Sequence, residues 1–460
     1  MQTSDETPLA PFKARFSWAL FQTGRDTAST LLLVFIFAPY FTSHVVGDPV
    51  RGQELWGYTM GISGFFVALT APFSGAIADI AGRRKPWIAL LALIMGCAAI
   101  SLWWALPDGA GLSIPTIMTL LVVYLIGVQL SDAFHNSMLP TLAPTSHMGR
   151  LSSLGFAVSQ TAIILLLIFM LCAFMLPGKS EWSFVADAPL FGIDAAKFEN
   201  SRISGPVCGL WLLAMTIPFL LFTPDTPRNA GVSLKSAARQ SVLRVWSTLR
   251  DIRRHHRNVA TYLLARMFFT DGMAASFVFT GIYAAGIFDW DATTLTLYGI
   301  IISSMTCTSV FVSGFIDQKL GSKRALSGGL LLMSLAFLGI LSFYTDRIFF
   351  VVELPLTERD TPFALLSEKL YLVMMGLFAL GAGPILVSAR TLLARIAPRD
   401  KMTEFFGLFA LSGTVTAFIG PLLVAIVTSI FDSQRVGFSS VLLLFAIGFV
   451  GLQFVREERS

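Results

Sequence analysis

The chain has 460 residues, of which 55% are hydrophobic and 13% charged, with a mean hydropathy of +0.71. Soluble domains carry about a quarter charged residues, so a water-soluble globule is excluded and the chain reads as an integral membrane protein. The net charge of +5 is accounted for by basic residues gathered on one side of a membrane, and it predicts no nucleic-acid partner.

Twelve apolar runs begin near Phe16, Leu55, Trp87, Leu112, Leu151, Pro206, Ala260, Thr294, Ala325, Leu370, Phe405 and Val436. Each has the length of about 20 residues that crosses a hydrocarbon core of about 30 Å. They are about twice as long as barrel strands, and a helix satisfies its own backbone in lipid. The predicted fold is therefore all-α, with twelve transmembrane helices. The opening "MQTSDETPLAPFKAR" is polar, and the run after it is too long for a signal-peptide core and lacks a small-residue cleavage site, so the first span is expected to be retained. Cys97, Cys172, Cys208 and Cys307 all fall within apolar runs. They are expected to be reduced thiols, with neither a disulfide framework nor a zinc pattern. With the N-terminus in the cytoplasm, 22 of the 33 Lys and Arg residues fall in cytoplasmic segments, which predicts a multi-pass protein with both termini cytoplasmic.

Charges within the spans are the first functional signal, because an ionised residue at the centre of a spanning helix costs about 2.5 to 3.5 kcal/mol on insertion scales. In span 1, "FQTGRDTAST" places Gln22, Arg25 and Asp26 near the midplane, about ten residues in at about 1.5 Å each. Adjacent helical residues point about 100° apart, so Arg25 and Asp26 are expected to find partners elsewhere. Span 4 carries Gln129, Asp132, His135 and Asn136 within an arc of about 120°, one polar stripe. Span 7 carries Arg266 and Asp271, the latter about eleven residues in and followed by Gly272; span 10 carries Arg390. The structural alternatives are an ion pair for Arg25 and Asp26, a helix-packing pair for Asp132 and His135, and snorkelling for Arg266 and Arg390, with a gate role also open to Arg390.

Arg25 and Arg266 are 241 residues apart, close to the repeat spacing derived below. Asp26 is therefore expected near Arg266 and Arg25 near Asp271, in pairs exchanged for substrate or proton. Asp26, Asp132 and Asp271 are candidate proton carriers, since burial and neighbouring charge tune a carboxylate, and His135 belongs to the residue type that titrates near neutrality. Glu404, at the start of span 11, reads as a helix-start residue or gate element. The arginines suit an anionic group and the carboxylates an amine, which points to a zwitterion or mixed-charge metabolite.

The longest cytoplasmic connection divides the spans six and six: residues 1–223 form an N-terminal six-helix bundle, 224–259 a linker, and 260–460 a C-terminal six-helix bundle. In the linker, Leu234, Ala238, Val242, Trp246 and Leu249 recur at helical spacing among basic residues, the pattern of an amphipathic helix at an anionic leaflet or of a solvated linker helix. Between spans 2 and 3 lies "SGAIADIAGRRK", with Gly75, Asp79, Gly82, Arg83 and Arg84. Between spans 8 and 9 lies "SGFIDQKLGSKR", with Gly314, Asp317, Gly321 and Arg324. Asp79 and Asp317 are 238 apart, Gly82 and Gly321 239, so a duplicated six-span unit is expected. Glycines there permit close packing and a tight turn, and the Asp at a helix end can pair with a basic side chain or face a helix N-terminus, as a conformational lock.

The first of these copies resembles the loop motif of the major facilitator superfamily. Three further stretches, "FSWALFQTGRDTASTLLLVFIFAPYFT", "LLARMFFTDGMAASFVFTGIYAAGIF" and "AGPILVSARTLLARIAPRDKMTEFFGLFALSGTVTAFIGPLL", resemble its unknown-major-facilitator branch, which includes the vacuolar amino-acid effluxers of autophagy and many bacterial proteins. The resemblance implies two pseudo-symmetric bundles with spans 1, 4, 7 and 10 lining a central cavity. It also implies a bacterial inner-membrane location. Typical members read Tyr-Asp-Trp-Ala-Asn-Ser where this chain reads Phe-Gln-Thr-Gly-Arg-Asp from Phe21 to Asp26, so the amino-acid substrate is not carried over.

The function expected is that of a secondary transporter, symport or antiport, moving a small polar or charged metabolite by alternating access coupled to protons. The alternatives are a transport-inactive receptor or scaffold on the same fold, or a proton-independent facilitator. No phosphate-cradling loop, metal-spaced His/Glu pair or Ser/Cys triad is present, so no enzyme, cofactor or metal is expected. The partners are a small-molecule substrate, a coupling proton and the lipid bilayer, with the chain a monomer.

Overall fold

The computed structural model describes residues 8–81, 83–179, 182–183, 185–225, 256–355, 361–398 and 402–457, and the side chains of residues 71–81, 145–146 and 403–404 are outside the description. The amphipathic linker helix expected within 224–259 falls on residues 226–255, outside the described residues. Eleven helices among the described residues are long and apolar enough to cross a membrane. They are α1 (Phe12–Val45), α3 (Lys85–Trp104), α4 (Ile114–Leu142), α5 (His147–Met175), α6 (Glu199–Phe222), α7 (Arg257–Phe288), α8 (Ala292–Leu320), α9 (Ser322–Leu341), α10 (Leu366–Ile396), α11 (Phe405–Phe431) and α12 (Gln434–Gln453). With α2 (Pro49–Ala81), a helix of 33 residues at the place of the second span, they make up the twelve expected. A two-stranded hairpin pairs Arg347–Ile348 with Val352–Glu353 between α9 and α10.

Local chemistry explains where several helices start, stop or distort. Asp291 caps α8, its Oδ1 accepting from Thr294 N at 2.9 Å and from the Thr294 hydroxyl at 2.7 Å. At the other end, Gly321 adopts φ +86°, a conformation glycine takes without the strain of a Cβ. In α1 the ladder widens into π-helical turns at Leu31–Phe35 and Phe41–Val45, on either side of Pro39, which has no N–H to give. Ile36 N donates instead to Leu31 O at 2.9 Å and Val46 N to Phe41 O at 3.0 Å. In α11, Met402–Thr414 and Ile419–Phe431 are separate helices, so the backbone is interrupted between them.

The chain forms two compact units, one of residues 1–46 and 62–245 and one of 47–61 and 246–460. In the first unit α1 packs on α5 and α6, and α3 packs on α4 and α6. In the second α7 packs on α11 and α12, and α9 packs on α10 and α12. The pairs repeat with a shift of six helices. The duplicated loop motif therefore has a structural counterpart in how the helices pair.

The start of α2 belongs to the second unit, a boundary that a division at 223 does not anticipate. Gln53 there is fully buried, and its Nε2 donates to Thr428 Oγ1 at 2.8 Å and Gln434 O at 2.9 Å. Gln434 Nε2 in turn donates to Pro49 O at 2.8 Å. Replacing Gln53 by Leu removes both donors and strips two buried acceptors of a partner, a loss of about 1–3 kcal/mol each at most. Thermal melting of the purified protein should show Gln53→Leu clearly below the parent.

Candidate functional site

Two groups of polar residues lie within the spans. Asp26 in α1 and Asp271 in α7 each stand fourteen residues beyond the first residue of their span, which puts a carboxyl group near mid-span in each unit.

In the first unit Arg25 is the centre of the group, buried to 5% exposure. Its Nε and Nη2 donate to Asp26 Oδ1 at 3.0 and 2.9 Å, and Nη2 also reaches Asp132 Oδ1 on α4 at 2.8 Å. The sequence expectation that Arg25 and Asp26 turn to partners elsewhere is corrected here. Their Cβ atoms do diverge, but the long arginine stem curls back to the neighbouring carboxylate and meets Asp132 on the way. Both arginines find partners in their own unit. Asp26 Oδ2 accepts from Gln22 Nε2 at 3.2 Å, one helical turn away. Ser29 donates to Arg25 O at 2.8 Å and lies 3.1 Å from the Tyr124 hydroxyl on α4.

One unit of positive charge is thus shared between two carboxylates. The Asp26 and Asp132 side chains are 32% and 40% exposed while that of Arg25 is 6%. What this group offers a ligand is carboxylate oxygen, not guanidinium.

The polar stripe expected on α4 divides. Gln129 and Asp132 are half-buried and Asn136 is exposed, whereas His135 has no exposed surface. The His135 ring lies flat on Trp18, with centroids 4.2 Å apart and planes 10° from parallel, and Phe21 and Phe219 close the remaining sides. His135 Nε2 donates to Trp18 O at 2.9 Å and Trp18 Nε1 donates to His135 O at 3.1 Å. Nδ1 has no partner among the described residues. The geometry is that of a staple between α1 and α4.

In the second unit Arg266 lies 3.6 Å over the Phe409 ring, and its Nη1 donates to Phe409 O at 2.7 Å and Ser412 Oγ at 2.6 Å. Its Nε has no partner among the described residues. Asp271 is 2% exposed, its Oδ1 has no hydrogen-bond partner among the described residues, and the Thr416 hydroxyl and the Arg266 guanidinium face it. Both residues therefore look at the interruption of α11. A discontinuous spanning helix presents backbone polar groups that a continuous one hides, the construction used for ligand and ion sites in transporters. Arg390 on α10 is exposed.

Of the loop motifs, Gly82 lies outside the described residues, and Gly75 and Asp79 are described only as part of the α2 backbone. Arg83 is exposed, and Arg84 Nη1 donates to Ser137 O at 2.5 Å. The second copy, degenerate in sequence, is organised: buried Asp317 meets Arg395 Nη2 at 3.6 Å, and Arg395 Nη1 pairs with Glu457 Oε1 at 2.8 Å. Gly314 is half-buried and Arg324 exposed. Sequence reasoning missed an acid after the last helix of each unit. Asp225 accepts from Arg84 N at 2.9 Å, and Glu457 accepts from Lys323 N at 3.0 Å, so each caps the third helix of its unit. Lys85 and Lys323, 238 apart in sequence, complete the pattern. Lys85 Nζ donates to Thr223 O at 2.7 Å, and Lys323 Nζ donates to Gln453 O and Val455 O at 2.9 and 2.6 Å.

Gln22 depends on a close approach of α5. A Cβ at Gly155 would collide with Gln22 Oε1 and come within 3.2 Å of the Trp18 ring. Gly155→Val should therefore displace Gln22 from Asp26, weakening ligand binding while Gly155→Ala weakens it less; ligand titrations of both variants would show that order.

The family model described as vacuole effluxer Atg22-like matches residues 45–460, and the chain belongs to that family. The uncharacterised MFS-type transporter YxiO of Bacillus subtilis (strain 168) is 22% identical over 457 residues, 97% of this chain and 96% of that protein. Autophagy-related protein 22 of Cryptococcus neoformans var. neoformans serotype D (strain JEC21) is 24% identical over 278 residues, 59% of this chain but only 47% of that protein. The crystal structure of a D-xylose–proton symporter matches with a TM-score of 0.66 at 14% identity, over 96% of each chain, which shows the fold. The relatives and the fold are those of major facilitator transporters and not of enzymes.

Proposed function

We propose that the chain is a secondary active transporter that moves a small charged metabolite by alternating access and couples that movement to protons. The observation that carries this reading is the burial of Arg25 beneath two partly exposed carboxylates at mid-span. Such a group presents negative charge to its ligand, so Asp26 and Asp132 would receive an amine. In the second unit Arg266 and Arg390 would receive an acidic group, and buried Asp271 is the carboxyl group best placed to take up and release a proton. The conformational lock is assigned to Asp317, Arg395 and Glu457 together with the first loop motif, whose ion pairs would be broken and remade as the units move. The basic segments support cytoplasmic termini, and a monomer in the inner membrane of a bacterium is the corresponding setting.

The test is thermal stability of the purified protein against amino acids, dipeptides, organic acids and sugars, repeated with Asp26→Asn and Asp271→Asn. A ligand that binds the folded state raises the melting point with the logarithm of its concentration above the dissociation constant. The reading requires a charged hit lost in Asp26→Asn. A hit indifferent to both substitutions would move the site elsewhere, and no hit with any compound would favour a receptor or scaffold.

A further inference from the structure

The ends of α8 and α12 and the start of α9 enclose a cleft of about 540 Å³ whose lining includes Leu320, Lys323, Arg324, Phe454, Arg456 and Glu457. We propose that this cleft, at the membrane surface on the face read as cytoplasmic, holds the phosphate-bearing headgroup of an anionic phospholipid.

Charge is the first argument. Three cations line the cleft against one carboxylate, and that carboxylate is already committed. Glu457 Oε1 pairs with Arg395 at 2.8 Å, and Oε2 accepts from Lys323 N at 3.0 Å. The Lys323 ammonium is held at 2.9 and 2.6 Å by the carbonyls of Gln453 and Val455, neutral acceptors that, among the described residues, leave its charge uncompensated and one N–H to spare. Arg324 and Arg456 are exposed, and among the described residues neither forms an ion pair. The position of Arg456 is nonetheless fixed, because Asn258 accepts from its N–H at 2.8 Å and donates to its carbonyl at 2.7 Å. An anion entering here meets three cations, and among the described residues no carboxylate is free to compete.

The apolar wall identifies the source of the phosphate. Phe454 is 73% exposed and Leu320 51% exposed, both beside the cations and at helix ends. A soluble phosphate compound gains nothing from them, whereas the glycerol and first acyl carbons of a phospholipid would cover them. Basic pockets between helix ends on the cytoplasmic side are the arrangement that binds anionic headgroups.

The experiment uses the full-length protein in detergent and follows retention of phosphatidylglycerol by native mass spectrometry, with phosphatidylcholine as the zwitterionic control. Phosphatidylglycerol should bind saturably and in preference to phosphatidylcholine. Each basic residue near an anionic surface contributes about fivefold in affinity, so Arg324→Gln with Arg456→Gln should weaken binding by about 25-fold. Arg324→Lys with Arg456→Lys keeps the charges and should stay close to the parent. Parental affinity in the glutamine variant, or equal binding of the two lipids, would overturn the proposal. Competition by inorganic phosphate or glycerol phosphate at comparable affinity would reassign the cleft to a soluble phosphate compound. If the glutamine variant does not fold, the parent alone decides, since phosphatidylglycerol affinity that does not fall from low to high salt is incompatible with a site built on these charges.

Discussion

Arg25→Gln should destabilise the protein more than any other single change in the spans and abolish transport with it. The guanidinium is buried and holds two carboxylates at 2.9 and 2.8 Å; without it, Asp26 and Asp132 face each other with no counter-charge. Removing one partner from a buried ion pair costs about 3–5 kcal/mol, and the partial exposure of both carboxylates places this case near the lower figure. Arg25→Lys should be intermediate, because a point charge cannot reproduce a planar fork that serves Asp26 and Asp132 together. The decisive comparison is Arg25→Gln combined with Asp132→Asn, which removes the repulsion along with the cation. The double variant should melt well above the single one and still not transport. If it melted no higher, the destabilisation would come from lost packing around the arginine stem, and the charge cluster would not be what holds α1 to α4.

The membrane architecture was legible in the sequence because the hydrocarbon thickness imposes a minimum apolar length, and each expected span has a helix at its place. The duplication was legible for a similar reason, since Asp317 and Gly321 stand where α8 ends, 238 and 239 residues after Asp79 and Gly82. Partner choice was not. Helical geometry sends Arg25 and Asp26 apart at Cβ, but an arginine has enough rotatable bonds to undo that divergence, and only the position of Asp132 on α4 decides that it does. His135 shows the same limit: its spacing matches Asp132, yet Trp18 on another helix takes the ring into the aromatic core. The interruption of α11 was hidden because Val415, Ala417, Phe418 and Ile419 keep the run apolar. Hydropathy records transfer energy, not whether the backbone ladder continues, and Gly413 with Gly420 and Pro421 was the remaining local signal. Asp225 and Glu457 were missed because they stand outside the spans, where a single acid looks like ordinary loop composition.

Asp271→Asn should behave in the opposite way to Arg25→Gln, keeping or raising stability while removing gradient-driven transport. Asp271 is 2% exposed and its Oδ1 has no hydrogen-bond partner among the described residues. A buried polar oxygen in that state carries a desolvation penalty of about 1–3 kcal/mol, more when charged. Asparagine has the same shape and no charge to desolvate, so the melting point should be unchanged or higher. A residue kept at a cost to stability is expected where function needs it, and here the function proposed is proton carriage at the α11 interruption. Two assays in proteoliposomes separate the roles. If Asp271 carries the proton, Asp271→Asn loses accumulation driven by an imposed pH gradient but retains exchange of labelled for unlabelled substrate, since exchange needs no net proton movement. If Asp271 instead contacts the substrate, both are lost together. If accumulation survives in the variant, neither role holds, and the proton would have to travel through Asp26 or Asp132, whose exposure lets them exchange it without burying a charge.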